Sequence, residues 1–192
     1  MINLFETNTD DFQYILDSMG KTIYIDDLPE KAILTHRPIN KDFDDYTIKT
    51  IYPIQRGDLV AYNNQKYLVL SEVNSDRFGV YKALLRKCNF ILHIHVDDER
   101  GDYLGDDSYG VPIYEQIPVY EDYSAIVLTV LADWNTGQVI NLPDGEIQVV
   151  IKDTGSTLLS VNDDFDFEGL HWIINFIDRT QEGLLILKCK NG

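Results

Sequence analysis

The sequence is poor in the residues that usually announce a chemistry. It has two cysteines, Cys88 and Cys189, and no CxxC. That pattern indicates neither a disulfide scaffold nor a zinc ribbon. It has no G-x-S-x-G elbow, Walker A loop, Rossmann fingerprint or H-E-x-x-H. No familiar motif therefore raises a nucleophile, cradles a phosphate or holds a catalytic zinc, and the expectation is a protein that is not an enzyme. Long apolar runs are absent: Ala125 to Ala132 is the longest, against the roughly 20 residues of a membrane helix. The opening Met1-Ile2-Asn3-Leu4-Phe5-Glu6 lacks the basic and apolar regions of a signal peptide, so a reducing cytoplasm is expected. Positive charge is scarce. Sixteen Lys and Arg oppose thirty-two Asp and Glu, giving a formal net charge of −16. Affinity for nucleic-acid phosphates and for anionic membranes comes mostly from Lys and Arg, so neither is expected as a gripped partner.

What remains is the composition of a folded globular protein. Of 192 residues, 44% are apolar, 11% aromatic and 25% charged. The length suits one large domain or two small ones. One helix is expected near the start: Thr9 can cap it, and Asp10 and Asp11 suit the positive end of its dipole. Phe12, Ile15, Leu16 and Met19 share a face, and Gly20 stops it. Beyond Gly20 the signals are β. Short runs (22–25, 32–35, 46–51, 58–62, 65–73 and 79–96) are separated by Pro29, Pro38, Pro53, Gly57 and the turn-forming Asn63-Asn64.

Residues 97–122 interrupt this pattern. The stretch from Asp97 to Asp107 holds six acids and one base and is followed by Pro112 and Pro118. It reads as an exposed loop or a linker. Strand signals resume over 123–132, 138–141, 146–152, 164–167, 171–178 and 183–189. The fold class expected is mainly β: two small antiparallel β-barrel or sandwich modules with a short N-terminal helix. The divisions are 1–96 for the helix and first module, 97–122 for the acidic loop or linker, and 123–192 for the second module.

The second module echoes the first. Asp58, Val60, Tyr62 and Tyr67 match Asp163, Phe165, Phe167 and Trp172 at an offset of 105. In both, an aspartate starts a strand, two inward residues follow, and an aromatic anchors the next strand across from them. The last strands, Leu84–Asn89 and Leu185–Lys190, align at an offset of 101, which pairs Cys88 with Cys189. Both cysteines read as small buried residues rather than redox groups.

One constellation carries possible chemistry. His93, His95 and Asp97 lie two apart, so on a regular strand they would present three metal ligands on one face. Leu92, Ile94 and Val96 mark the opposite face as buried, which leaves the histidines outward, where a solvent or subunit contact is the plainer reading. The acids of 97–107 lack the spacing of an EF-hand loop.

The order of these features resembles the head-closure and head–tail connector proteins of tailed bacteriophages. The resemblance rests on Asp10–Met19, Lys21-Thr22-Ile23-Tyr24-Ile25, Lys31-Ala32-Ile33-Leu34-Thr35, the run Ile54 to Val60, Lys66-Tyr67-Leu68-Val69 and Tyr81 to Asn89. In the second half it rests on Ile140 to Ile147 and Gly183-Leu184-Leu185. The acidic insert and the full second module depart from short stopper proteins. The resemblance implies a virion structural protein of the neck, assembled in the host cytoplasm into a ring homo-oligomer around a channel. Its partners would be a portal or adaptor protein on one side and a tail or tail-terminator protein on the other. It implies no cofactor and no reaction; the alternatives are a tail or baseplate component, or a soluble metal- or ligand-binding β module. DNA would pass through without specific binding, and Asp97, Asp98, Glu99, Asp102, Asp106 and Asp107 are the candidates for a channel or interface loop that repels it.

Overall fold

The computed structural model describes residues 10–37, 45–75, 79–132, 139–141, 145–155 and 159–192. Thr9 and the turn at Pro143 lie outside them. In chain order the elements are α1 (Asp10–Met19), β1 (Lys21–Ile25), β2 (Leu28–His36), β3 (Asp45–Thr50), β4 (Leu59–Tyr62), β5 (Gln65–Val69), β6 (Asn74–Ser75), β7 (Tyr81–Lys87) and β8 (Phe90–Asp106). They continue with β9 (Pro112–Leu128), β10 (Val130–Ala132), β11 (Val139–Asn141), β12 (Glu146–Lys152), β13 (Asp164–Phe167), β14 (Leu170–Asp178) and β15 (Leu184–Asn191). The mainly β fold with two barrel-like sheets and a short N-terminal helix is the one expected.

Alternation builds the first barrel. Ile23, Ile25, Ala32, Ile48, Val60, Tyr67, Val69, Ala83 and Leu85 point into one core. The strands run β3-β2-β1-β4-β5-β7, and a β3–β7 ladder closes the ring. Two-residue turns fix the register: Asp26-Asp27 joins β1 to β2 and Asn63-Asn64 joins β4 to β5, all four with positive φ. Pro29, expected in a loop, sits within β2 opposite Tyr24. The expected run 79–96 is broken at Cys88-Asn89 into β7 and β8.

The second barrel repeats the connectivity of the first. Its order is β13-β14-β15-β12-β9-β8, so β8, β9, β12, β13, β14 and β15 stand where β1, β2, β3, β4, β5 and β7 stand. Inward residues correspond: Ile23 with Leu92, Ile25 with Ile94, Ala32 with Ala125, Ile48 with Val149, Ile54 with Leu159. The loop before β4 is copied bond for bond. Asp58 Oδ2 accepts the Gln55 N–H at 2.7 Å, and Asp163 Oδ2 accepts that of Ser160 at 2.6 Å. Gly57 N–H donates to Val69 C=O, and Asn162 N–H to Ile174 C=O. The turn Glu168-Gly169 repeats the positive φ angles of Asn63-Asn64. One difference stands out: among the described residues no ladder joins β8 to β13. Phenylalanine rings fill that seam, Phe90 lying 6.3 Å from Phe165 and 4.9 Å from Phe167 between centroids.

The expected alignment of the last strands is off by three residues. Val69 pairs with Leu85, and its counterpart Ile174 pairs with Cys189. Leu85 is therefore the counterpart of Cys189, at an offset of 104, and Cys88 corresponds to Gly192. The two Leu-Leu-x-x-Cys-like strings suggested a match that the ladders do not make. Cys189 is buried in the second core, whereas Cys88 is half-buried beside the layer between the barrels.

That layer is apolar. Leu68, Leu70 and Leu84 of the first barrel pack on Ile126, Leu128, Val150, Leu184 and Ile186 of the second. At its margin the backbones of Gly57 and Gly183 touch: a Cβ on Gly57 would lie 1.8 Å from the Gly183 carbonyl oxygen, and one on Gly183 would lie 1.9 Å from that of Arg56. Arg56 Nε donates to Glu182 C=O at 2.8 Å, and Lys152 Nζ reaches Asp26 at 2.8 Å and Asp58 at 3.7 Å. Asn89 locks the joint: its side chain both accepts from the Val127 N–H and donates to the Val127 C=O.

The helix is covered less than its pattern suggests. Leu16 is buried, but Ile15 is 38% and Met19 67% exposed. Gly20 ends it as expected, its N–H donating to Leu16 C=O.

Candidate functional site

Residues 97–122 are neither a loop nor a linker. They are the outer parts of β8 and β9, strands of seventeen residues each that pair far beyond the barrel, with the turn at 107–111 that joins them. The hairpin is the counterpart of β1–β2, in which Ile25 pairs with Leu28 across two residues. In the second barrel the equivalent pair is Ile94 and Glu121, and residues 95–120 extend between them. At about 3.3 Å per residue the ribbon reaches roughly 30 Å. Only β9 residues 126–128 pair with β12; outward of them the two strands pair with each other alone.

A ribbon with no third layer has no face to bury, so the usual alternation is missing. That is why the sequence did not show it as strand. Tyr103, Leu104, Tyr109, Val111, Ile113, Ile117 and Tyr120 are all exposed. Between them stand nine acids and one base over residues 97–122, a net −8 and half the charge of the chain. Three register shifts, each with an extra residue on β8, lie between His95 and Gly105. Such bulges raise the local twist, and with Pro112 and Pro118 on β9 they blunt the edges against random strand addition.

The six candidate acids have different tasks. Asp107 builds the tip, its carboxylate accepting the N–H groups of Tyr109 and Val111, each at 2.8 Å. Asp106 accepts the Tyr103 hydroxyl at 2.7 Å, which raises the tyrosine pKa. Asp98 holds His95 at 2.8 Å, and Asp97 accepts the Asp98 N–H. Glu99 and Asp102 are exposed. Arg100 lies over the Tyr114 ring at 3.2 Å, and Tyr103 stands edge-on to the same ring. At the root, burial and the hydrogen bond to Glu121 push the Tyr123 hydroxyl up to about 12.

His93, His95 and Asp97 do not form a ligand set. A register shift between His95 and Asp97 breaks the period-two alignment that the metal reading needed. His93 faces Asp122 across the ladder, and His95 turns to Asp98. Among the described residues no three His, Cys, Asp or Glu side chains converge to hold a metal. Burial pushes both thiols, Cys88 and Cys189, up to about 12, which suppresses thiolate chemistry. Asn89 has no role legible in the sequence beyond ending the string Leu84–Asn89.

Family models match the two halves separately. Residues 3–87 match the YomX N-terminal domain, and residues 90–190 match the YomX C-terminal domain. The chain belongs to the YomX family. That family is phage-associated, which supports a phage origin. The gap between the two YomX matches falls on Cys88 and Asn89, at the joint between the barrels, and the ribbon lies wholly within the C-terminal match. No curated protein and no solved structure matches the chain. No helix among the described residues is long and apolar enough to cross a membrane.

Proposed function

We propose that this YomX protein is a non-catalytic structural component of the phage neck, forming a ring that joins the portal or adaptor to the tail and helps retain the genome. The observation that carries the reading is the ribbon: a projecting, acidic and aromatic arm on a two-barrel body, in a phage-associated family. Exposed apolar side chains on an uncovered two-stranded ribbon call for a partner, because such a ribbon is marginal alone in water. Its acids suit a passage through which DNA must move without being held, since phosphates are repelled by carboxylates.

Deleting the gene should yield filled heads without tails, and mass analysis of virions should find the chain. A strictly monomeric protein absent from virions would sink the reading, and its detection at the distal tail would favour a tail or baseplate component. Replacing Asp97, Asp98, Asp106 and Asp107 by lysine should slow genome ejection or make assembled rings bind DNA. If neither changes, the acids do not line a channel. A gain of thermal stability with zinc or calcium that His93→Ala abolishes would favour the metal-binding alternative.

A further inference from the structure

The two barrels of one chain meet head to tail. The second barrel offers the cross-strand row Ile126–Val150–Ile186, which is buried. The first offers a different face, through Leu68 of β5, Leu70 just after it and Leu84 of β7. Because the barrels share one topology, each position on one has a counterpart on the other. The ladders place Ile33–Lys49–Lys82 on the first barrel where Ile126–Val150–Ile186 stand on the second. This row is not covered. Lys49 and Lys82 are exposed and directly opposite each other, and neither has an anionic partner among the described residues. Like charges directly opposite destabilise a sheet, so an anionic partner would relieve the pair.

A second copy of this chain carries two surfaces that could meet that row. Repeating the internal packing would bring up β14 and β15 of its second barrel. There Lys188 holds the place of Leu84, so cation would meet cation. The arm is the complementary surface. Residues 1–96 carry thirteen acids and eleven bases, net −2, whereas the arm carries −8. The arm also exposes Leu104, Ile113 and Ile117, which suit the partly exposed Ile33. Its prolines and bulges disfavour edge pairing, so contact would run through side chains.

We propose that the arm of one copy lies on the Ile33–Lys49–Lys82 face of the next copy. This deepens the ring reading above by naming the contact that builds the ring. Each copy gives one arm and one face, a heterologous contact that closes into a ring when the rotation per step divides a full turn.

The test uses the full chain, mixed from isotopically labelled and unlabelled preparations and joined by a zero-length carbodiimide. Links between copies should connect Lys49 or Lys82 to Glu99, Asp102 or Glu115. In sedimentation, the Lys49→Glu/Lys82→Glu variant should associate roughly tenfold or more weakly, and adding Glu99→Lys, Asp102→Lys and Glu115→Lys should restore association. Circular dichroism of each variant separates lost contact from lost fold, and the cross-links of the unaltered chain do not depend on any variant. Inter-copy links that avoid Lys49 and Lys82, association that ignores the lysine reversals, or a folded chain that stays monomeric would each overturn the proposal. The neck reading fails separately: a chain absent from virions whose copies still link arm to lysines would sink that reading and leave this contact standing.

Discussion

At the residue scale, single side chains hold the first barrel and its joint. Arg86 donates to Asp45 from Nε and Nη2, both at 2.7 Å, with exposures of 6% and 12%. Removing one partner of such a pair leaves a buried charge uncompensated. Asp45→Ala should therefore cost about 3–5 kcal/mol in urea unfolding. Asp58 behaves differently. Burial raises its pKa above the ordinary 3.8, despite the Gln55 N–H and Lys152 that favour the anion. The folded chain thus binds this proton more tightly than the unfolded chain. The resulting stability is full below the ordinary value and is lost as pH rises through the folded pKa. Asp58→Asn should flatten the unfolding free energy over that acid range; an unchanged slope would show that Asp58 does not set it. Asp58 was legible in the sequence as the start of a repeated motif, because the loop it caps needs an acceptor three residues after Gln55. The cysteines misled: two similar strings aligned well, but strand register is set by ladders and by a shift between Ile174 and Phe176 in β14.

At the element scale, the readable strands were those with one buried face. In β1, Ile23 and Ile25 are buried in the first core while Thr22 and Tyr24 are exposed, and the run 22–25 is readable as strand. The correspondence of β1, β2 and β3 with β8, β9 and β12 is not legible in the sequence. It preserves inward position but not residue identity, as Ile23 with Leu92 illustrates. The ribbon escaped because nothing covers it. Its place in the topology predicts that it is dispensable to the barrel. Replacing residues 95–120 by the two-residue turn Asp-Asp, as in β1–β2, should leave the near-ultraviolet circular dichroism and melting point nearly unchanged. The same variant should lose self-association. A collapse of the fold would mean that the ribbon supports the core beneath it.

At the scale of the whole molecule, the side-chain layer between the barrels ends at its margin in a contact of backbone on backbone, which cannot yield as a side chain would. Gly57 and Gly183 both have positive φ, 92° and 81°, and both meet carbonyl groups. Gly183→Ala should lower the melting point by several degrees and split the unfolding transition, since the barrels would separate before either melts. A single transition at the original temperature would show that the contact is loose. The gapped seam of the second barrel has a mechanical consequence for the arm. β9 is tied by hydrogen bonds to β12, whereas the outer edge of β8 rests on Phe90 against Phe165 and Phe167. Tension applied at the tip therefore travels down β9 as through an anchored cable. β8 meets the same load with rings that can slide past one another, which makes the arm a lever with one fixed leg and one compliant one.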